Sequence, residues 1–204
     1  MIWQLNKIQF PIYNLGPGKR IGIWVQGCSI CCNGCINHSL WGKNGGKCID
    51  VEELVEFVMH CDNDCAGVSI TGGEPFDQYP QLMAFAMMLQ RCTKLNVLVY
   101  SGYSLRQLLQ KFPDKVFTSC VDYLIDGPFK EELPANDNLR GSSNQTIYRF
   151  INGNAETCEM KQEKKIWSLG CQGNTVYMAG VPLQNEMEIM AENLLLAGVG
   201  MKQV

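Results

Sequence analysis

The chain has 204 residues, 46% of them hydrophobic, and a formal net charge of −3. That length holds one domain with a substantial core and at most a small appendage, and with the charge spread and no basic block, nucleic acid is excluded as an expected partner. No apolar run is long enough to span a bilayer, and Met1 to Lys7 lacks the apolar core of a signal peptide, so no membrane partner and a cytoplasmic location are expected.

Residues 3 to 10 read as an opening strand, and Leu15 to Arg20 is a glycine-proline turn feeding a second strand, Ile21 to Gln26. That strand delivers Cys28. The chain has 11 cysteines, an odd number, and neither a secretion signal nor small size supports a disulfide framework, so reduced thiols and a metal site are expected. Cys28, Cys32 and Cys35 stand at C-x3-C-x2-C, a spacing that lets a short loop fold three thiolates round one face of a cubane iron-sulfur cluster. Four-iron clusters normally take four cysteines, so three imply a distant fourth ligand or an iron that binds something else. Two other readings fit parts of the motif: a zinc site pairing Cys32 and Cys35 with Cys61 and Cys65, or a redox pair at Cys32 and Cys35. Cys31 is read as a bystander, and His38 carries no assignment.

Asp50 to Glu53 resembles a capping box, and Val51, Leu54, Val55 and Val58 repeat at helical spacing, predicting a helix over 51–61. A buried strand at 67–71 follows, ending in Thr71-Gly72-Gly73-Glu74-Pro75. Paired glycines let the backbone approach a ligand closely, and Glu74 can accept from an ammonium. A helix is predicted over 78–91, with Leu82, Phe85, Ala86 and Leu89 on its apolar face, then a strand at 96–100 leading to Ser101-Gly102-Tyr103. Ser104 caps the next helix, and Val121 to Ile125 forms a strand closed by Asp126-Gly127-Pro128-Phe129. The alternation predicts an α/β fold with a mostly parallel sheet, its candidate sites gathered at the carboxyl edge.

From 130 to 145 the pattern breaks into a polar loop ending Arg140-Gly141-Ser142-Ser143-Asn144-Gln145, then a strand at 146–151. Lys165 to Leu169 and Asn174 to Met178 predict a hairpin round Gly170 to Gly173, and Asn185 to Glu188 a cap for a final helix to Ala197. The division expected is a core over residues 1–151 and a C-terminal hairpin-and-helix extension over 152–204, packed on the core.

The three cysteines followed by Gly72-Gly73-Glu74-Pro75 about one βα unit later resemble the radical S-adenosylmethionine superfamily. Within it, Gly16-Pro17-Gly18, Arg20, Gln26-Gly27-Cys28, Cys32-Asn33-Gly34-Cys35-Ile36-Asn37, Trp41, Tyr100 to Tyr103, Asp122 to Phe129 and Arg140 to Gln145 are similar to the activating proteins of anaerobic ribonucleoside-triphosphate reductase. The resemblance covers roughly residues 10–150. That branch usually has an aromatic after the third cysteine, where Ile36 stands here. Residues after 151 have no counterpart in its short members.

The resemblance implies a partial (βα) barrel of the radical SAM type, with Cys28, Cys32 and Cys35 holding a 4Fe-4S cluster whose open iron chelates S-adenosylmethionine. Glu74 and the Gly72-Gly73 backbone would hold the cofactor's amino end; Gly34, Ile36, Ser101 and Tyr103 would line its nucleoside. A flavodoxin-like or ferredoxin-like donor would supply one electron, giving a 5′-deoxyadenosyl radical that takes hydrogen from a glycine of a large glycyl radical enzyme, an anaerobic ribonucleotide reductase. Arg140, Ser142, Ser143, Asn144 and Gln145 would receive the partner's loop, or form only a capped turn. Competing functions are a stand-alone radical SAM enzyme acting on a small molecule or peptide, an activase of another glycyl radical enzyme, and a zinc or electron-transfer protein without catalysis.

Overall fold

The structure is a computed structural model describing residues 1–61, 64–135, 137, 139–160, 168–172 and 175–179. Its centre is strand β2 (Arg20–Val25), buried along its whole length. Burial on both faces follows from its continuous apolar run, because successive side chains of a strand point to opposite sides. Ile21, Ile23 and Val25 enter the large core shared with the helices, while Trp24 packs on the other face with Ile12, Leu15 and Leu40.

β4 (Gly67–Gly72), β5 (Asn96–Tyr100) and β6 (Tyr123–Asp126) follow β2 in order across the sheet, each parallel to its neighbour. The connections contain α1 (Val51–Met59), α2 (Tyr79–Cys92), α3 (Leu105–Lys111) and the short α4 (Phe117–Cys120). The Asp50 side chain caps α1 by accepting from the Glu52 N–H, and Val51, Leu54, Val55 and Val58 are buried. Burying each such side chain contributes about 1.5–3 kcal/mol of transfer free energy. Ser104 and Gln107 form a reciprocal capping box on α3.

Around this parallel centre the remaining strands pair antiparallel. β1 (Ile2–Ile12) lies between β2 and β3 (Lys47–Asp50), and β7 (Thr146–Ile151) between β6 and β8 (Asn154–Thr157). The sheet is therefore mixed, in the order β3-β1-β2-β4-β5-β6-β7-β8, which corrects the expectation of a mostly parallel one. Connection length explains part of this: residues 13–19 between β1 and β2 and residues 152–153 between β7 and β8 are too few to carry a crossover, so those pairs return antiparallel. These pairings define a linear eight-stranded sheet and do not by themselves define a barrel.

Other departures are local. Strand β6 begins at Tyr123 rather than Val121, because residues 117–120 form α4 and Val121 enters the core. β8 lies beyond the expected boundary at residue 151 yet pairs with β7, through a two-residue turn in which Asn152 (φ 51°) and Gly153 (φ 79°) both take the left-handed conformation. Further on, β9 (Ser168–Gln172) and β10 (Thr175–Ala179) pair antiparallel as the two strands of the expected hairpin, but with Gly170 opposite Tyr177. The register is moved because Gly170 to Gln172 belong to the first strand. The predicted final helix lies outside the described residues. Among the described residues no helix is long and apolar enough to cross a membrane.

Candidate functional site

The carboxyl ends of β2 and β4 meet through their backbones. Gly73 donates its N–H to the Val25 carbonyl at 2.9 Å, and Glu74 donates to the Gly27 carbonyl at 2.8 Å. Opposite them the cysteine loop closes on itself, with Gly27 N–H donating to Leu40 O at 2.8 Å and Cys28 N–H to Trp41 O at 3.1 Å. The loop from Cys28 to Trp41 is thus pinned at its base, and the two sequence motifs share one wall.

Within that loop Cys35 N–H donates to Cys32 O at 3.2 Å, closing a turn between the second and third cysteines. Cys28, Cys32 and Cys35 are all half-buried, whereas Cys31 is exposed, its thiol donating to Cys28 O at 3.2 Å. Burial pushes the Cys28 thiol up to about 11, against backbone hydrogen bonds at Cys31 and Ile30 that oppose it. Burial also raises Cys32, opposed by a backbone hydrogen bond from Phe129. Unliganded, both thiols hold their protons, and metal binding would release them. Backbone N–H groups directed at two of them are the partners that cluster-bound sulfurs take.

The zinc alternative does not survive the placement. Cys61 and Cys65 precede β4, at the amino end of the strand whose carboxyl end faces Cys28. Six paired residues separate the two edges, roughly 20 Å at about 3.3 Å per residue. Among the described residues no three His, Cys, Asp or Glu are gathered to hold one metal ion. A cubane asks less of its cysteines in this respect, since each sulfur binds a different iron. Three half-buried thiols on one short loop, with backbone N–H groups at two of them, fit it.

Glu74 is 1% exposed and its carboxylate is already engaged. Oε1 accepts from Phe76 N–H at 3.0 Å and the Ser101 hydroxyl at 2.9 Å, and Oε2 accepts from Gly102 N–H at 2.7 Å. Burial raises its pKa to about 7. The carboxylate therefore binds the end of β5 to the end of β4, with an acceptor lone pair left on Oε2. Ser101 is drawn into this bridge, 5% exposed, while Ile36 stands 48% exposed on the cysteine loop and Gly34 lies against the Glu131 carboxylate. Tyr103 donates its backbone N–H to Ser101 Oγ at 3.1 Å, while its hydroxyl meets other partners. Its hydroxyl lies 2.8 Å from Ser29 Oγ, donates to Asp77 Oδ1 at 3.2 Å, and accepts from Lys111 Nζ at 2.8 Å.

The run from Arg140 to Gln145 is folded on the Gly127-Pro128 corner. Gln145 Oε1 accepts from Gly141 and Ser142 N–H at 2.8 and 3.2 Å, and its amide donates to Gly127 O at 2.8 Å. Asn144 donates to Pro128 O at 2.9 Å, and Ser142, fully buried, accepts from Lys130 N–H at 3.1 Å. Ser143 N–H donates to Leu133 O, and Arg140 donates to Asp137 and to Gln145 O. A Cβ added at Gly141 would stand 3.1 Å from the Phe129 ring, and the Phe129 backbone serves Cys32, so one residue links this run to the cysteine loop. Arg20 lies elsewhere, at the far end of β2 from Cys28, donating to Ser69 Oγ at 2.6 Å and Val68 O at 2.8 Å. Sequence reasoning missed Ser29, Asp77, Lys111 and the Phe129 backbone. Asp77 alone left a trace, three residues after Glu74.

Fold and loop together define an α/β iron-sulfur domain. Residues 14–148 match the 4Fe-4S single cluster domain, well over half of the chain. The anaerobic ribonucleoside-triphosphate reductase-activating protein of Enterobacteria phage T4 is 29% identical over 144 residues, covering 68% of this chain and 88% of its own length. The proteins of the same name from Pasteurella multocida and Vibrio cholerae are each 31% identical, over 146 and 144 residues, covering 66% of this chain and 90% of theirs. The chain belongs to this family, that of the anaerobic ribonucleoside-triphosphate reductase-activating proteins.

Proposed function

We propose that the chain is a radical S-adenosylmethionine activase that acts on a large glycyl radical enzyme, an anaerobic ribonucleotide reductase. The observation that carries this reading is the backbone junction of Gly27 with Glu74, which sets the cysteine loop beside the glycine pair. Cys28, Cys32 and Cys35 would hold a 4Fe-4S cluster, and Gly72, Gly73 and Glu74 the amino end of S-adenosylmethionine. When bound, these groups supply one-electron cleavage of the sulfonium to methionine and a 5′-deoxyadenosyl radical that abstracts hydrogen from a glycine Cα.

The protein's part is placement. Glu74 offers Oε2 to the ammonium while its other hydrogen bonds keep the carboxylate from turning, and Gly34 and Ile36 border the nucleoside with Ser101 behind them. Tyr103 supports that wall from outside, through Ser29 and Asp77. The Arg140 to Gln145 turn stands where a partner loop would pass, its inward groups satisfied and Arg140 reaching solvent at its rim. A flavodoxin-like or ferredoxin-like protein of the cytoplasm would deliver the electron. The 152–204 extension, with a hairpin of its own, is what favours a second reading in which another glycyl radical enzyme, a peptide or a small molecule is the substrate.

Electron paramagnetic resonance on anaerobically reconstituted, reduced protein tests the proposal. A cluster signal shifted by S-adenosylmethionine, followed by a glycyl doublet on an added anaerobic reductase, is the expected result. A shift without the doublet transfers the assignment to another substrate, and no cluster signal overturns it.

A further inference from the structure

Asp77 closes on the residue next to the first cysteine from two directions. Ser29 donates its backbone N–H to Oδ2 at 2.7 Å and its hydroxyl to Oδ1 at 2.8 Å. Asp77 belongs to the 3-10 turn Pro75–Gln78 directly after Glu74, and Glu74 holds Gly27. One short turn of chain therefore grips both neighbours of Cys28. The grip is itself braced: Tyr103 donates to Asp77 Oδ1, and Lys111 Nζ stands 3.9 Å from the same oxygen and 4.3 Å from the Tyr103 ring. A pocket of about 450 Å³, bordered by Ser29, Lys43, Asp77, Tyr103 and Lys111, opens onto this network.

We propose that Asp77 is the positioning residue of the cysteine loop, and that it holds the cluster's reduction potential down. The inference rests on the cluster assignment made above. Fixing Gly27 and Ser29 together fixes the Cα of Cys28, and with it the point from which its sulfur reaches. The redox consequence follows from charge and hydrogen bonding. Backbone N–H groups that bond cluster sulfurs raise the potential, and nearby negative charge lowers it. Asp77 occupies the Ser29 N–H, so that this donor is not free for a cluster sulfur, and places a carboxylate on the residue after Cys28, with Lys111 3.9 Å from it. A surface carboxylate that merely caps a turn would do neither measurably.

The test uses the reconstituted full chain with Asp77→Ala and the near-isosteric Asp77→Asn, which keeps one acceptor and loses the charge. A redox titration followed by electron paramagnetic resonance is expected to move the midpoint to more positive potential in both, further in Asp77→Ala. Iron is expected to pass to a chelator about tenfold faster from Asp77→Ala, the lower end for losing an outer-shell partner. Should Asp77→Ala fail to fold by circular dichroism, Asp77→Asn decides alone. A wild-type midpoint and wild-type iron release in Asp77→Asn overturn the proposal. A wild-type chain that takes up no cluster overturns the cluster assignment, and the proposal with it.

Discussion

Gly27 and Glu74 are joined by a 2.8 Å backbone hydrogen bond although they stand 47 positions apart in the chain, and the residue between Glu74 and its strand leaves no room for a side chain. A Cβ added at Gly73 would stand 2.0 Å from the Gly27 carbonyl oxygen. That contact is backbone on backbone, so neither partner can rotate away.

Gly73→Ala is therefore expected to push the cysteine loop off the end of β4, at a cost of at least roughly 1–3 kcal/mol, as overpacking typically does. Thermal melts and iron analysis of the reconstituted protein check this. An alanine variant with wild-type melting and iron content would show that the junction is not tight.

Glu74 should make cofactor binding depend on pH. Its pKa is raised to about 7 by burial, so between about 4.5 and 7 the folded chain binds more protons here than the unfolded one. Stability from this group is accordingly full at low pH and declines as pH rises through 7. Only the ionised form attracts an ammonium. Affinity for S-adenosylmethionine is expected to rise about tenfold from pH 6 to pH 8, the ratio of ionised fractions for one group titrating near neutrality. Calorimetric titrations at the two pH values measure it, and Glu74→Gln should flatten the profile.

Cysteine substitutions separate ligands from bystanders. Ser at Cys28, Cys32 or Cys35 is expected to abolish the reduced-cluster resonance. The same change at Cys31, exposed on the loop, or at Cys61, beyond the far edge of the sheet, should leave it intact. Loss of the signal in the Cys61 variant would reopen the zinc-like pairing.

The Arg140 to Gln145 turn divides into structure and surface. Gln145→Ala strands the N–H groups of Gly141 and Ser142 and the Gly127 carbonyl, so a loss of about 1–3 kcal/mol is expected in chemical denaturation. Arg140 is partly exposed and ion-paired at the surface, so Arg140→Ala should change stability little while lowering glycyl radical yield on the reductase. Unchanged yield would leave the run as a capped turn.

Much of the centre was readable along the chain. Continuous apolar runs gave β2, β4 and β5, and the helical repeat at Val51, Leu54, Val55 and Val58 placed α1, because burial on both faces or on one stripe imposes those patterns. The cysteine spacing pointed to the iron-sulfur chemistry of the domain that residues 14–148 match, since ligand geometry within a short loop is a local property. β3 and β8 were missed: each has four residues, and exposed edges carry no apolar alternation. Alternation with helices made the parallel direction of β2, β4, β5 and β6 readable, whereas the antiparallel pairing of β1, β3, β7 and β8, which makes the sheet mixed, left no such pattern. Tertiary structure alone brought Asp77 to Ser29 and the Tyr103 hydroxyl to that pair. Those contacts join residues 48 and 74 apart in sequence, and no local pattern encodes a hydrogen bond whose two ends are set by different strands of the sheet.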